Sequence, residues 1–111
     1  MEEQEVRIAR TEALFRNVNE RIAESAQGFD SEEATFVCEC ADPACTERVP
    51  VSLDEYEEVR SDGTQFVLAP GHENEDVERV VARRRGYQIV RKVHDVVAAW
   101  ARRLDPRAGA A

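Results

Sequence analysis

Apolar residues near the amino terminus recur with the 3.6-residue period of an amphipathic helix. The stripe and the two apolar residues beside it are Leu14, Val18, Ile22, Ile8 and Phe15. Charged residues occupy most of the remaining positions, so the pattern predicts a helix from Glu5 to about Ala26 with one apolar face. Gly28 is expected to end this helix, and Phe29–Glu33 reads as an acidic connector.

Short runs of β-branched and aromatic residues predict strands further along the chain. Thr35–Cys38 is one such run, and Gln65–Ala69 is another, which Pro70-Gly71 ends. Between them, Ser52 and Glu55 have the spacing of a capping box, which predicts the start of a short middle helix.

The stretch Val77–Lys92 is predicted to form a β-hairpin. Two β-prone runs, Val80–Ala82 and Tyr87–Val90, are joined by Arg83–Gly86, whose glycine can adopt the positive φ of a tight turn. The valines at the start of this stretch would also suit a helix face, so a helical beginning stays open.

The last predicted element is an amphipathic helix. Its apolar positions are Val93, Val96, Val97, Trp100 and Leu104. Asp105-Pro106 is expected to end it, and the tail Arg107–Ala111 is expected to be frayed.

Three cysteines lie within eight residues, at Cys38, Cys40 and Cys45, and His72 follows the second predicted strand. Zinc prefers four tetrahedral sulfur and nitrogen ligands, and Cys₃His is one of its standard structural sites. The Asp42-Pro43 turn would fold Cys45 back toward the other two thiols. We therefore predict that Cys38, Cys40, Cys45 and His72 bind one Zn²⁺ per chain.

Other interpretations of these residues remain open. Three buried small apolar side chains or a redox dithiol of Cys38 and Cys40 would also explain the cysteines, although thiols two residues apart form a strained disulfide. His94 is the only other histidine, and four nearby carboxylates could replace His72 as fourth ligand. These carboxylates belong to Glu39, Asp42, Glu47 and Glu73.

Four patches of the sequence resemble a family of short, mostly uncharacterised bacterial proteins typical of high-GC genomes. They are Thr11–Arg16 with Asn19–Ile22, Cys38–Cys45 with Glu47-Arg48, Tyr56–Arg60, and Phe66-Val67 with Pro70–Glu73. The resemblance, carried by a C-x-C-x₄-C cluster and a downstream P-G-H motif, implies that the cysteines and the histidine occur as a set. It implies no activity and does not extend to the carboxy-terminal helix.

These elements together predict an α+β fold: a small zinc-stabilised domain with a short antiparallel sheet and amino-terminal, middle and carboxy-terminal helices. The expected division is an amphipathic helix over residues 1–27, a zinc-binding core over 34–92 and a helix over 93–105. With 111 residues, 42% of them hydrophobic, the chain has material for one modest core.

Composition also limits the functions to consider. No apolar run approaches the roughly 20 residues of a membrane span, and the acidic start Met1–Glu5 is unlike a secretory signal. We therefore expect a cytoplasmic protein, in which an odd number of cysteines favours metal binding over disulfides. Absence of G-x-S-x-G, a phosphate loop and H-E-x-x-H argues against an enzyme, and no small-molecule substrate is evident.

Charge is distributed unevenly: residues 1–33 carry −5, residues 34–78 carry −10 and residues 79–111 carry +7. An acidic body opposes general nucleic-acid binding, and only the basic last third keeps a weak nucleic-acid module as an alternative. We expect instead an interaction adaptor or regulator that meets a protein partner, or a second copy, through its first helix. A thiol or zinc redox sensor is the other alternative.

Overall fold

Three helices and two antiparallel sheets make up residues 2–108, the part of the chain that this computed structural model describes. In chain order the elements are α1 (Glu2–Gly28), β1 (Glu33–Val37), β2 (Arg48–Ser52), α2 (Leu53–Arg60), β3 (Gln65–Leu68), β4 (Glu78–Arg84), β5 (Tyr87–Lys92) and α3 (Asp95–Arg103). The predicted α+β class is confirmed. Met1 and residues 109–111, the end of the predicted frayed tail, lie outside the described residues.

The sheets have two and three strands. β1 pairs with β2, and the second sheet has the order β3-β5-β4. The predicted hairpin is confirmed as β4 and β5, with Gly86 at φ 86° in its turn and a bulge between Val80 and Ala82. Strand β2 was not predicted, because Pro50 lies in it and proline is rarely found inside strands.

Side-chain caps set the start of the two shorter helices. The Ser52 hydroxyl accepts a hydrogen bond from the Glu55 amide at 3.1 Å, as the capping box predicts. His94 caps α3 in the same way, since its Nδ1 accepts from the Val96 amide at 3.2 Å. The predicted helix over residues 93–105 therefore started too early, because α3 begins at Asp95. Val93 lies before the helix and is about half exposed.

Helix α1 does not bury the apolar stripe found in its sequence. Leu14 is 63% exposed and Val18 is 41% exposed, while Ile22 is partly buried against the core. The buried face carries small and polar residues at helical spacing, and α1 packs with it against α3 and β1. These residues are Ala9, Glu12, Ala13, Arg16, Asn19 and Ala23. No helix within residues 2–108 has the length and apolar character needed to cross a membrane.

Buried charges tie α1 to the rest of the fold. The Arg16 guanidinium donates to the carbonyl oxygens of Gly63 and Ala101, both at 2.9 Å. The Lys92 ammonium lies between the carboxylates of Glu12 and Glu78, and all three side chains are at most 1% exposed. Burial is thus compensated by specific partners distant in sequence, which is the condition for charges inside a protein.

Arg107, the first residue of the tail that was expected to be frayed, is held in place by ion pairs. Arg107 forms ion pairs with Glu20 at 2.8 Å and Glu57 at 2.9 Å. The hydrogen bonds that Arg107 donates to the carboxylates of Glu57 and Glu20 raise the pKa of Arg107. The tail therefore closes over α1 and α2 through residue 107.

Candidate metal centre

Two strand ends bring the predicted ligands together. Cys38 follows the last residue of β1, and its neighbour Glu39 donates its amide to the Val67 carbonyl on β3 at 2.9 Å. The segment after β1 therefore runs beside β3. His72 lies beyond the end of β3, so it reaches the same edge as the cysteines.

The four predicted donor atoms form one compact group. The sulfurs of Cys38, Cys40 and Cys45 and a ring nitrogen of His72 all lie within 4.8 Å of one another. The Nδ1 atom of His72 is 3.6 Å from the Cys38 sulfur and 3.6 Å from the Cys45 sulfur. The structure thus gathers all four residues into a group that can hold a metal ion.

Local hydrogen bonds shape the cysteine loop. The Asp42 carboxylate accepts from the Ala44 amide at 2.9 Å, and the Cys45 amide donates to the Asp42 carbonyl at 3.0 Å. These bonds form the tight turn that returns Cys45 toward Cys38. On the other side, Gly71 has φ 83°, which glycine adopts without strain, and this turns the chain so that His72 faces the thiols.

Two of the sulfurs are buried. Cys38 is 1% exposed and Cys40 is 4% exposed, whereas Cys45 is partly exposed. Burial raises the pKa of the Cys38 and Cys40 thiols, and the neighbouring Cys45 sulfur adds to the rise in both. A cation would favour the thiolate form, and amide donors are already present: the Ala69 amide donates to the Cys38 sulfur at 3.2 Å.

Four of the five alternative fourth ligands are engaged elsewhere, and the fifth, Glu47, is exposed. His94 caps α3, Glu73 accepts a hydrogen bond from Gln88, and Glu39 is fully buried with partners of its own. Asp42 stabilises the cysteine turn. Within the described chain, His72 is the residue that completes the group of sulfurs.

Buried hydrogen bonds of Asn19 and Glu39, called here the polar clamp, join α1 to the cysteine loop. They were not identified from the sequence. Asn19 donates its Nδ2 group to the Glu39 carboxylate at 2.8 Å and the Val37 carbonyl at 2.9 Å. Its Oδ1 accepts from the Val37 amide at 2.8 Å, and Glu39 also accepts from the Val67 amide at 3.0 Å. Burial raises the pKa of Glu39 to about 6, against the opposing effect of the Asn19 hydrogen bond.

The clamp gives Glu39 a role that differs from metal binding. Glu39 stands between two ligands in the sequence, so its side chain fixes the loop from behind while Cys38 and Cys40 point toward the donor group. The signal that could have revealed Asn19 is its helical spacing with Arg16 and Ala23.

Searches of protein-family models, curated proteins and solved structures find no match to this chain.

Proposed function

We propose that the protein is a small domain that binds one structural zinc ion and serves as a protein-interaction adaptor or regulator. The observation that carries the zinc assignment is the gathering of three sulfurs and one imidazole nitrogen within 4.8 Å. Thiolate and imidazole ligands suit zinc, and Cys₃His is a standard set for it.

The donor spacing supports a tetrahedral ion. With Zn–S near 2.3 Å and Zn–N near 2.0–2.1 Å, a tetrahedral angle puts sulfur and nitrogen donors about 3.6 Å apart. Both measured separations between His72 Nδ1 and a cysteine sulfur are 3.6 Å. These two of the six donor separations match a zinc-sized ion, and all six are at most 4.8 Å.

The metal's role in this proposal is structural. Four protein donors complete the coordination of tetrahedral zinc and leave no position for a catalytic water, which argues against an enzyme. The ion would tie the loop between β1 and β2 to the end of β3. Structural zinc supplies on the order of 10–16 kcal/mol in small peptides, which matters to a domain with a modest core. Stable thiolate ligation also fits a cytoplasmic location.

Paired histidine variants test the zinc assignment. His72→Asn should lose the metal and destabilise the fold, while His94→Asn should keep one metal per chain, because asparagine can still cap α3. Metal content is measured by elemental analysis after gel filtration. Equal metal content in the two variants would remove His72 from the site.

The interaction role is supported by the apolar residues that α1 leaves uncovered. Leu14 and Val18 lie one helical turn apart on the exposed side of α1, and Phe29, just beyond its end, is 82% exposed. Adjacent exposed apolar side chains on a helix are suited to a protein partner or a second copy of the chain. The proposal places the contact on this face.

A charge-matched pair of double variants tests the contact. Leu14→Asp with Val18→Asp should lower the molecular mass in solution or the capture of a partner, with metal content unchanged. Asn17→Asp with Ser25→Asp adds the same charge to exposed positions of α1 and should change neither. Loss of metal and fold in the first pair would instead give these residues a role in stability.

Nucleic-acid binding is the less favoured alternative. Arg83, Arg84 and Arg85 are exposed at the tip of the hairpin, but Arg84 forms an ion pair with Glu55 at 2.8 Å. The basic tip thus partly serves the acidic body of its own chain. The net charge of −15 over residues 1–78 opposes phosphate binding nearby.

A further inference from the structure

We propose that Cys45 is the reactive thiol of the metal centre, the residue at which peroxide or another electrophile modifies the domain before Cys38 or Cys40 reacts. This inference rests on the proposed zinc site and goes beyond it by assigning an order of reactivity. Three independent features of the cysteine loop support it: exposure, hydrogen bonding and the position of a second thiol.

Exposure distinguishes Cys45 from the other two ligands. Cys38 and Cys40 are 1% and 4% exposed, so a small oxidant in water has little access to either residue. Cys45 is partly exposed, and its neighbours Ala44 and Thr46 are exposed as well. Oxidation follows thiolate character and access, and access favours Cys45.

Hydrogen bonding acts in the same direction. The Cys38 sulfur accepts an amide hydrogen bond from Ala69 at 3.2 Å. Such bonds withdraw electron density from a thiolate and reduce its nucleophilicity. The Cys45 sulfur lies 3.6 Å from the Nδ1 atom of His72, and no amide hydrogen bond to this sulfur is found within residues 2–108.

The chemistry is a balanced two-step oxidation by hydrogen peroxide. The Cys45 thiolate attacks one peroxide oxygen, the O–O bond breaks, hydroxide leaves, and Cys45 becomes a sulfenic acid. The Cys40 thiolate then attacks the Cys45 sulfur, the S–O bond breaks, and a second hydroxide leaves as the disulfide forms. Peroxide is reduced by two electrons in all, and the two thiolates are oxidised by two.

Cys40 is the partner that the geometry favours. Its sulfur lies within hydrogen-bonding contact of the Cys45 sulfur, and the residues between them form the tight turn at Asp42. Cys38, the other thiol near Cys45, is the most buried of the three, and its sulfur is already held by the Ala69 amide. Loss of Cys40 and Cys45 as ligands leaves only Cys38 and His72, so oxidation should release the metal.

Alkylation kinetics of the unmodified protein give the first test. The metal-loaded chain is pulsed with N-ethylmaleimide, and the modified cysteines are located by peptide mass spectrometry. Cys45 should be labelled at least about tenfold faster than Cys38 or Cys40, because thiol reactivity depends on access. Equal rates, or faster labelling of Cys38, would overturn the proposal.

Two variants in which one cysteine is replaced by histidine separate the roles of the thiols. Cys45→His retains a Cys₂His₂ donor set, another standard zinc site, and should keep its metal under peroxide concentrations that release it from the parent. Cys40→His should still form a sulfenic acid at Cys45, trapped by dimedone, but no disulfide. Resistance of Cys40→His equal to that of Cys45→His would contradict the assignment.

The metal content before oxidation distinguishes this inference from the proposed function. A parent protein that carries no zinc refutes the zinc site itself. A parent that carries one zinc per chain but shows no preference for Cys45 in alkylation refutes the order of reactivity and leaves the zinc site intact.

Discussion

Replacing Asn19 by alanine should destabilise the cysteine loop, although Asn19 is not itself a predicted metal ligand. Asn19 is fully buried on α1 and makes three hydrogen bonds to the chain around the cysteines. Alanine removes all three without disturbing the helix, for which alanine has the highest propensity. The variant thus tests whether the polar clamp supports the metal centre.

The size of the effect follows from these contacts. A neutral hydrogen bond contributes about 1 kcal/mol net, and one to a carboxylate contributes about 1.5–3 kcal/mol. Two neutral bonds to Val37 and one to Glu39 therefore give about 3.5–5 kcal/mol, from which improved helix propensity subtracts about 0.5 kcal/mol. Small domains are stable by about 5–15 kcal/mol, so the variant should be weakened but still folded.

The assay is urea unfolding of the zinc-loaded protein, with metal retention measured by competition against a chelator. The free energy of unfolding of Asn19→Ala should be lower by about 3–4 kcal/mol. The variant should also bind zinc about 10–100-fold more weakly, because residues that orient ligands affect metal affinity. Asn17→Ala, an exposed position on the same helix, serves as the control. Unfolding energies within about 0.5 kcal/mol for the two variants would refute the role of the clamp.

Three further predictions concern charged residues. Burial raises the pKa of Glu12 to about 7 from 4.5, so the folded state holds a proton that the unfolded state releases, and stability falls as pH rises through this window. Relative to Glu12→Gln, the free energy of unfolding of the parent should therefore fall by about 2–3 kcal/mol between about pH 5 and 8 in denaturation experiments. A difference in unfolding free energy between the two proteins that does not change with pH would contradict this. Arg107→Ala should cost about 1 kcal/mol by thermal unfolding, because its ion pairs are partly exposed, while Arg102→Ala, an exposed position, should be neutral. Filter binding should show no micromolar retention of DNA or RNA at about 200 mM salt; retention that the triple alanine variant of Arg83, Arg84 and Arg85 abolishes would favour the nucleic-acid alternative.

Local sequence patterns predicted much of this fold. The hairpin, the capping box at Ser52 and the strand before Pro70 depend on residues close together in the chain, and each is present in the structure. The same holds for the cysteine cluster, whose three thiols lie within eight residues of the chain. His72 could be added because Gly71 marks a turn at the end of a predicted strand.

The inward face of α1 could not be predicted from hydrophobicity. Arg16 and Glu12 are buried against partners 47 to 85 residues away in the chain, which are Gly63, Ala101 and Lys92. A pattern of residue types records polarity but not distant partners, so the sequence marked Leu14, Val18 and Ile22 as the apolar face of α1 and gave no sign that the polar face is the buried one. The resemblance to bacterial proteins and the division into residues 1–27, 34–92 and 93–105 stay predictions.

Native mass spectrometry of the purified protein, with and without a chelator, tests the zinc site most directly. Without chelator, the account predicts one zinc ion per chain and a narrow distribution of low charge states, typical of a folded protein. With chelator, the mass should fall by one zinc and the charge states should broaden as the fold is lost. A metal-free chain with a narrow distribution, after purification in the presence of zinc, would contradict a structural zinc site at Cys38, Cys40, Cys45 and His72.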